Sequence, residues 1–198
     1  MDVVKGFPTA AGYIGYTNFV DMYSGYIIPV PLKTENSVEI AKALEEHVIK
    51  PFRAPMEISS DNAQNLQGPA ISKLLNFYNI QQRLTVPNSP ESHALVEIQN
   101  RYLTELTRIF SDQFQCYWYQ ALTISSVVLN SVPKRQLKNH SPYFFIFGQE
   151  PYCKNDFAAL NAKYLDLEEF VKETLNNKIY VKGTVSRKIT GVKSGINR

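Results

Sequence analysis

The chain has 198 residues, of which 44% are hydrophobic and 12% aromatic, and carries a net charge of +3. This length accommodates one domain with an appendage, and the apolar content excludes a disordered chain. A charge this small gives no argument for nucleic-acid binding from bulk numbers, and no apolar run reaches the ~18 residues of a membrane span.

Tyr13 to Val20 and Tyr26 to Leu32 are rich in aromatic and β-branched residues and flank a turn at Tyr23-Ser24-Gly25, so they read as an antiparallel pair. Pro29 and Pro31 cannot donate to a ladder and place the second strand at an edge or in an exit turn. Thr34 or Asn36 caps a helix expected to run to about Lys50, with Val38, Ala41, Leu44 and Val48 as its apolar stripe and Pro51 as its stop. Met56 to Ser60 is a short strand that ends at Asp61. Pro69 opens a helix through about Tyr78, with Ile71, Leu74, Leu75 and Tyr78 facing inward.

Ile80 to Val86 reads as another strand, and Ser89 to Ser92 as a loop. A long helix follows from about His93 to Ser111, with Val96, Leu103, Leu106 and Phe110 on its apolar side. Glu97, Asn100, Arg101, Thr104, Glu105 and Arg108 share the opposite side at helical spacing and are expected to be exposed. Phe114 to Asn130 is apolar nearly all round and is expected to be a buried helix, ended by Pro133. Ser141 to Gly148 is a short capped helix whose Tyr143 to Phe147 run is read as core, because five apolar residues in a row rarely face solvent. Strands alternating with helices predict an α/β domain, a mixed sheet flanked by helices.

After Pro151 the pattern weakens. Leu165 to Leu175 fits one acidic amphipathic helix. Lys178, Lys182, Arg187, Lys188, Lys193 and Arg198 then form a basic end without acidic residues, read as a solvated or phosphate-contacting tail. The expected division is therefore 1–151 and a C-terminal extension, 152–198. Cys116 and Cys153 are too few for a disulfide framework and read as reduced intracellular thiols, and His47, His93 and His140 have no metal-finger spacing with them.

Asp61 and Glu97 enclose residues 62–96, 35 in all. Asp61 stands in Ser60-Asp61-Asn62 after an apolar strand. Glu97 stands in Pro87-Asn88-Ser89-Pro90, two residues, His93-Ala94-Leu95-Val96-Glu97, two residues, Asn100-Arg101. These blocks resemble the second and third catalytic blocks of the integrases of retroviruses and long-terminal-repeat retrotransposons, a family marked by Asp, Asp, 35 residues, Glu. In that family the first carboxylate lies on the strand before the hairpin, and here that is Asp2 in Asp2-Val3-Val4-Lys5-Gly6-Phe7-Pro8. Asp21, in Phe19-Val20-Asp21-Met22-Tyr23, is the competing choice and reads as a structural turn residue. Trp118, Asn130, Ser141-Pro142, Gly148 and Pro151 extend the resemblance over about residues 1–151. Ala63 stands where the family often has glycine, and His93-Ala94 where it often has Asn-Gly.

The resemblance implies a ribonuclease-H-like fold in which Asp2, Asp61 and Glu97 are both catalytic residues and ligands of two Mg²⁺ (or Mn²⁺) ions. It implies processing of element DNA ends and transfer of the 3′-hydroxyl onto a target phosphodiester, with element-end and target DNA and a second copy of the chain as partners and no membrane. Asn62, Asn100, Arg101, Thr104 and Arg108 are the expected DNA contacts. Lys134, Arg135 and Lys138 form a second basic cluster in a loop. The location implied is intracellular, and nuclear during action on chromosomal DNA. The family's N-terminal zinc module is not expected here, the first strand reads as truncated at its N-terminus, and the chain reads as a fragment of a longer polyprotein, a truncated gene model or a decayed copy. The alternative is a catalytically inactive or domesticated integrase-like module that binds nucleic acid or protein.

Overall fold

The structure is a computed structural model, and it describes residues 1–60, 67–84 and 90–151, with the side chains of 84 and 90–95 left out. Asp61, Asn62, the residues just before Pro90 and everything after Pro151, including the expected Leu165–Leu175 helix and basic end, lie outside the described residues.

Five strands form two sheets, one of three strands and one of two. β1 (Asp2–Val4), β2 (Gly15–Val20) and β3 (Ile27–Leu32) pair antiparallel in that order, while β4 (Glu57–Ser60) and β5 (Gln81–Leu84) pair parallel. The amino group of Met1 donates to the Ser59 carbonyl at 2.7 Å, which brings the start of β1 beside the end of β4. β3 is an edge, which suits Pro29 and Pro31; they stand opposite Asn18 and Tyr16 of β2.

β2 is central and buried on both faces. Its alternation therefore feeds two cores. On one face Tyr16 and Ile27 pack against α4 (Pro90–Phe114) and α5 (Trp118–Ser131) through Leu103, Leu106, Phe110, Trp118, Leu122 and Leu129. On the other, Phe19, Val30 and Leu32 meet α1 (Ser37–Leu44) and α3 (Pro69–Phe77) through Ile40, Leu44, Ile71 and Leu75. Each core buries about ten large apolar side chains, each worth ~1.5–3 kcal/mol. No helix among the described residues is long and apolar enough to cross a membrane.

Several local expectations change. Asn36 is the cap of α1, its side chain accepting from Glu39 N at 2.8 Å, but the buried stripe is Ile40, Ala41, Ala43 and Leu44, with Val38 exposed. Pro51 does not stop the helix. A π-helical turn, Glu45–Ile49, widens the ladder, with Lys50 N bonded to Glu45 O, and the chain continues through α2 (Lys50–Phe52). Pro51 falls in the first turn of α2, where its missing N–H costs least. α4 begins at Pro90, inside the stretch read as a loop, because proline fits the first helical turn.

α5 is not buried all round: Ile124 and Val127 are exposed, since only one side of it meets α4. The Tyr143 to Phe147 run is not core either. It forms α6 (Pro142–Phe147), capped by Ser141 and by left-handed Gly148, with Tyr143 to Ile146 half-buried and Phe147 46% exposed. A helix of six residues at the rim has little to pack against, so its rings stack on one another.

Candidate active site

The antiparallel register places Asp2 opposite Asn18, so both side chains project from one face of the sheet. That face carries α4. Asn100 Nδ2 donates to Asp2 Oδ2 at 2.6 Å, and Asn18 Nδ2 donates to Asn100 Oδ1 at 2.8 Å. One helical turn on, Thr104 Oγ1 meets the Tyr16 hydroxyl at 2.9 Å. Two-residue steps on β2 thus match four-residue steps on α4. The other Asp2 oxygen accepts from Val3 N at 2.8 Å, and the Asp2 carbonyl accepts from the Thr17 hydroxyl at 3.1 Å. Burial and the neighbouring Asp2 charge push the Tyr16 phenol up to about 12, against the Thr104 hydrogen bond, so it stays a neutral spacer at neutral pH.

Asp2 and Glu97 line one cavity of about 800 Å³ at the end of the sheet, together with Asp21, Ser59 and Ser60. Ser60 is the residue before Asp61. Asp21 is a turn residue: its Oδ2 accepts from Ser24 N at 2.8 Å and Ser24 Oγ at 2.6 Å. Among the described residues no three His, Cys, Asp or Glu side chains converge on a metal position. The donors present fit a hard divalent cation all the same: Asp2 and Glu97 supply carboxylate oxygen, and among the described residues no cysteine or histidine lines the cavity.

The expected DNA contacts divide. Arg101 and Arg108 are exposed on α4, their guanidinium groups over the rings of Tyr102 (5.2 Å) and Phe7 (5.7 Å). Asn100 is buried, and its amide is taken by Asp2 and Asn18, which corrects its placement on an exposed face. Thr104 is half-buried and bonded to Tyr16. Lys134 is also turned inward, donating to the Gly25 carbonyl at 3.3 Å, whereas Arg135 and Lys138 are exposed. Sequence reasoning missed Asn18 and Arg53. A polar residue within a buried central strand was the available signal for the first; the second had none.

The fold is that of retroviral integrase catalytic cores, a ribonuclease-H-like α/β fold. The HTLV-2 integrase catalytic core domain, solved in complex with magnesium in a trimeric form, aligns with a TM-score of 0.60 at 19% identity over 73% of this chain and 92% of that one. The BIV integrase core aligns at 0.56 and 20% identity over 67% and 91%, and a chain of a simian T-cell lymphotropic virus intasome bound to PP2A regulatory subunit B56 gamma at 0.62 and 20% identity over 78% and 57%.

In sequence the chain is similar to retroviral Pol proteins, consistent with an integrase catalytic core. It is 27% identical over 176 residues to the Gag-Pol polyprotein of baboon endogenous virus (strain M7), covering 87% of this chain and 10% of that protein. It is 27% identical over 152 residues to the Pol polyprotein of feline endogenous virus ECE1, covering 76% and 14%. The chain therefore spans about a tenth of the length of these relatives. No family model matches it.

Proposed function

We propose that this chain is the catalytic core of a retrotransposon or retroviral integrase and joins DNA strands by metal-dependent polynucleotidyl transfer. The observation that carries this reading is the cavity shared by Asp2 from β1 and Glu97 from α4, beside the strand end that leads into Asp61, in a fold shared with integrase cores.

Asp2, Asp61 and Glu97 would hold two Mg²⁺ or Mn²⁺ ions, and the HTLV-2 core in complex with magnesium supports that choice. Bound there, the ions supply activation of the attacking oxygen and charge neutralisation at the leaving oxygen. The chain's own residues orient the reactants. Asn100 fixes the rotamer of Asp2, and Asn18 fixes Asn100. Arg101 and Arg108 take phosphates along α4, and Asn62 does so beside Asp61. Thr104 acts through Tyr16 as a positioning residue. A homo-oligomer brings two DNA ends together, in keeping with the trimeric form of the HTLV-2 core and with the intasome.

Strand transfer on branched oligonucleotide DNA with Mg²⁺ or Mn²⁺ tests this. Asp61→Asn and Glu97→Gln should each lower it by about three orders of magnitude or more. Transfer that persists in Glu97→Gln would sink the proposal. A folded chain that binds DNA but is inert with either ion would favour the non-catalytic module.

A further inference from the structure

The wall of the cavity away from Asp2 and Glu97 is aromatic. Met22, Tyr26, Phe52, Arg53, Phe145 and Ile146 line it. Behind it, Phe147 packs on Phe52 at 6.2 Å, on Tyr26 at 6.0 Å and on Tyr143 at 4.3 Å, with Tyr26 on Phe52 at 6.2 Å, while Tyr23 meets Phe145 separately at 5.6 Å. Tyr23, Met22, Phe147 and Phe52 are 77%, 45%, 46% and 38% exposed. Isolated exposed apolar residues are ordinary; a contiguous set at a cavity rim marks a binding surface.

Arg53 adds an independent observation. Its φ of 75° and ψ of 167° fall in a strained region that essentially only glycine adopts. Its guanidinium makes no ion pair or hydrogen bond among the described residues, and it is exposed. Glycine would relieve the strain at this position but would remove the guanidinium from the wall. A free guanidinium beside exposed ring faces matches a planar π-system that carries an anion. The cavity's about 800 Å³ is the size of sites that enclose a small ligand, about 300–1,000 Å³.

We propose that this wall is a nucleotide subsite, in which Phe52, buttressed by Phe147, stacks an unstacked base of a single DNA strand and Arg53 holds its phosphate, in the cavity that Asp2 and Glu97 also line. This rests on the reading of the chain as a DNA-joining core. Aromatic stacking tolerates any base, so the subsite holds a strand end without reading its sequence. It requires the base to be out of the duplex stack, since inside a duplex neighbouring bases cover both of its faces.

The test is binding of a short single-stranded oligonucleotide with 2-aminopurine at its 3′ end to the full chain in EDTA. Arg53→Gly should weaken binding about ten-fold and lower the log–log salt slope by about 0.7, the loss of one phosphate contact. It should melt no lower than wild type, because glycine takes this backbone conformation without strain. Phe52→Ala should weaken binding roughly five-fold or more and abolish the fluorescence change, and it should no longer distinguish the oligonucleotide from one with an abasic 3′ end.

Binding equal to wild type in both variants, or no binding by wild type, would overturn the subsite. Equal binding with faster proteolysis after Pro151 would assign the wall to the chain's own residues 152–198. Strand transfer that needs Glu97 while both variants bind normally would remove the subsite and keep the proposed function; the opposite pattern would keep the subsite alone.

Discussion

Asn100 donates to Asp2 across 2.6 Å, and nothing in the sequence separation of 98 residues announces it. The bond ties the first strand to the helix that carries Glu97, so the Asp2 carboxylate is held by that helix.

Replacing that amide should therefore affect metal binding before it affects the fold. Asn100→Ala is expected to lower Mg²⁺ affinity or strand transfer 10–100-fold, the usual cost of losing a ligand's orienting partner. It also strands the Asn18 donor in a buried site, at about 1–3 kcal/mol. Calorimetric Mg²⁺ titration together with thermal melting separates the effects. Unchanged metal affinity in a melted-down variant would make Asn100 merely structural.

Gly15 stands where β2 passes β1. A Cβ there would lie 2.5 Å from the Val4 carbonyl oxygen, a backbone atom that cannot move without displacing the strand that carries Asp2. Gly15→Ala should cost at least about 2 kcal/mol and weaken Mg²⁺ binding. Gly12→Ala, whose Cβ meets nothing within 4 Å, controls for the positive-φ glycines near it. Denaturant unfolding of the two variants measures the difference.

Trp118 secures the loop after β1. Its indole N–H donates to the Pro8 carbonyl at 2.8 Å, and its ring stacks on Phe7 at 4.7 Å. Trp118→Phe keeps most of the apolar area and loses the bond, which should cost about 1–3 kcal/mol. Trp118→Ala should cost about 3–5 kcal/mol. Equal melting temperatures for Trp118→Phe and wild type would show that the loop holds without the indole.

Burial pulls the Lys134 ammonium down from 10.5 to about 8. Below pH 8 the lysine is charged in both folded and unfolded chains, and the burial penalty is present in full. Between pH 8 and 10.5 the unfolded chain binds more protons, so folding strengthens as pH rises. The stability of wild type minus that of Lys134→Met should thus move in favour of wild type across this window, by no more than about 3 kcal/mol. Urea titrations at pH 7, 8, 9 and 10 read it; a flat difference would place the amine in water.

The β2–β3 pair was legible because aromatic and β-branched runs flank a glycine turn, and Pro29 and Pro31 could only be tolerated at an edge. The helix with Glu97 was legible from its period, and Asp21 as a turn former from its Ser24-Gly25 context. Asn100 was not legible. Periodicity gives the angle of a side chain around its helix but not what stands across from it, and here the two strands that carry Asp2 and Asn18 stand where solvent was expected. Tyr143 to Phe147 misled for a related reason: composition implies burial, yet a six-residue helix at the rim has no partner layer. Asp61 and Asn62 fall outside the described residues.

The π-helical turn at Glu45–Ile49 has one residue more per turn than the α-helix around it. An added residue advances everything after it by about 100° around the axis. Deleting one position there would leave Ile40 and Leu44 where they are and swing Phe52 away from Phe147. The direction in which Phe52 and Arg53 leave this helix is thus set by chain count, so an inserted or deleted codon, more than any exchange of side chains, would redraw that wall.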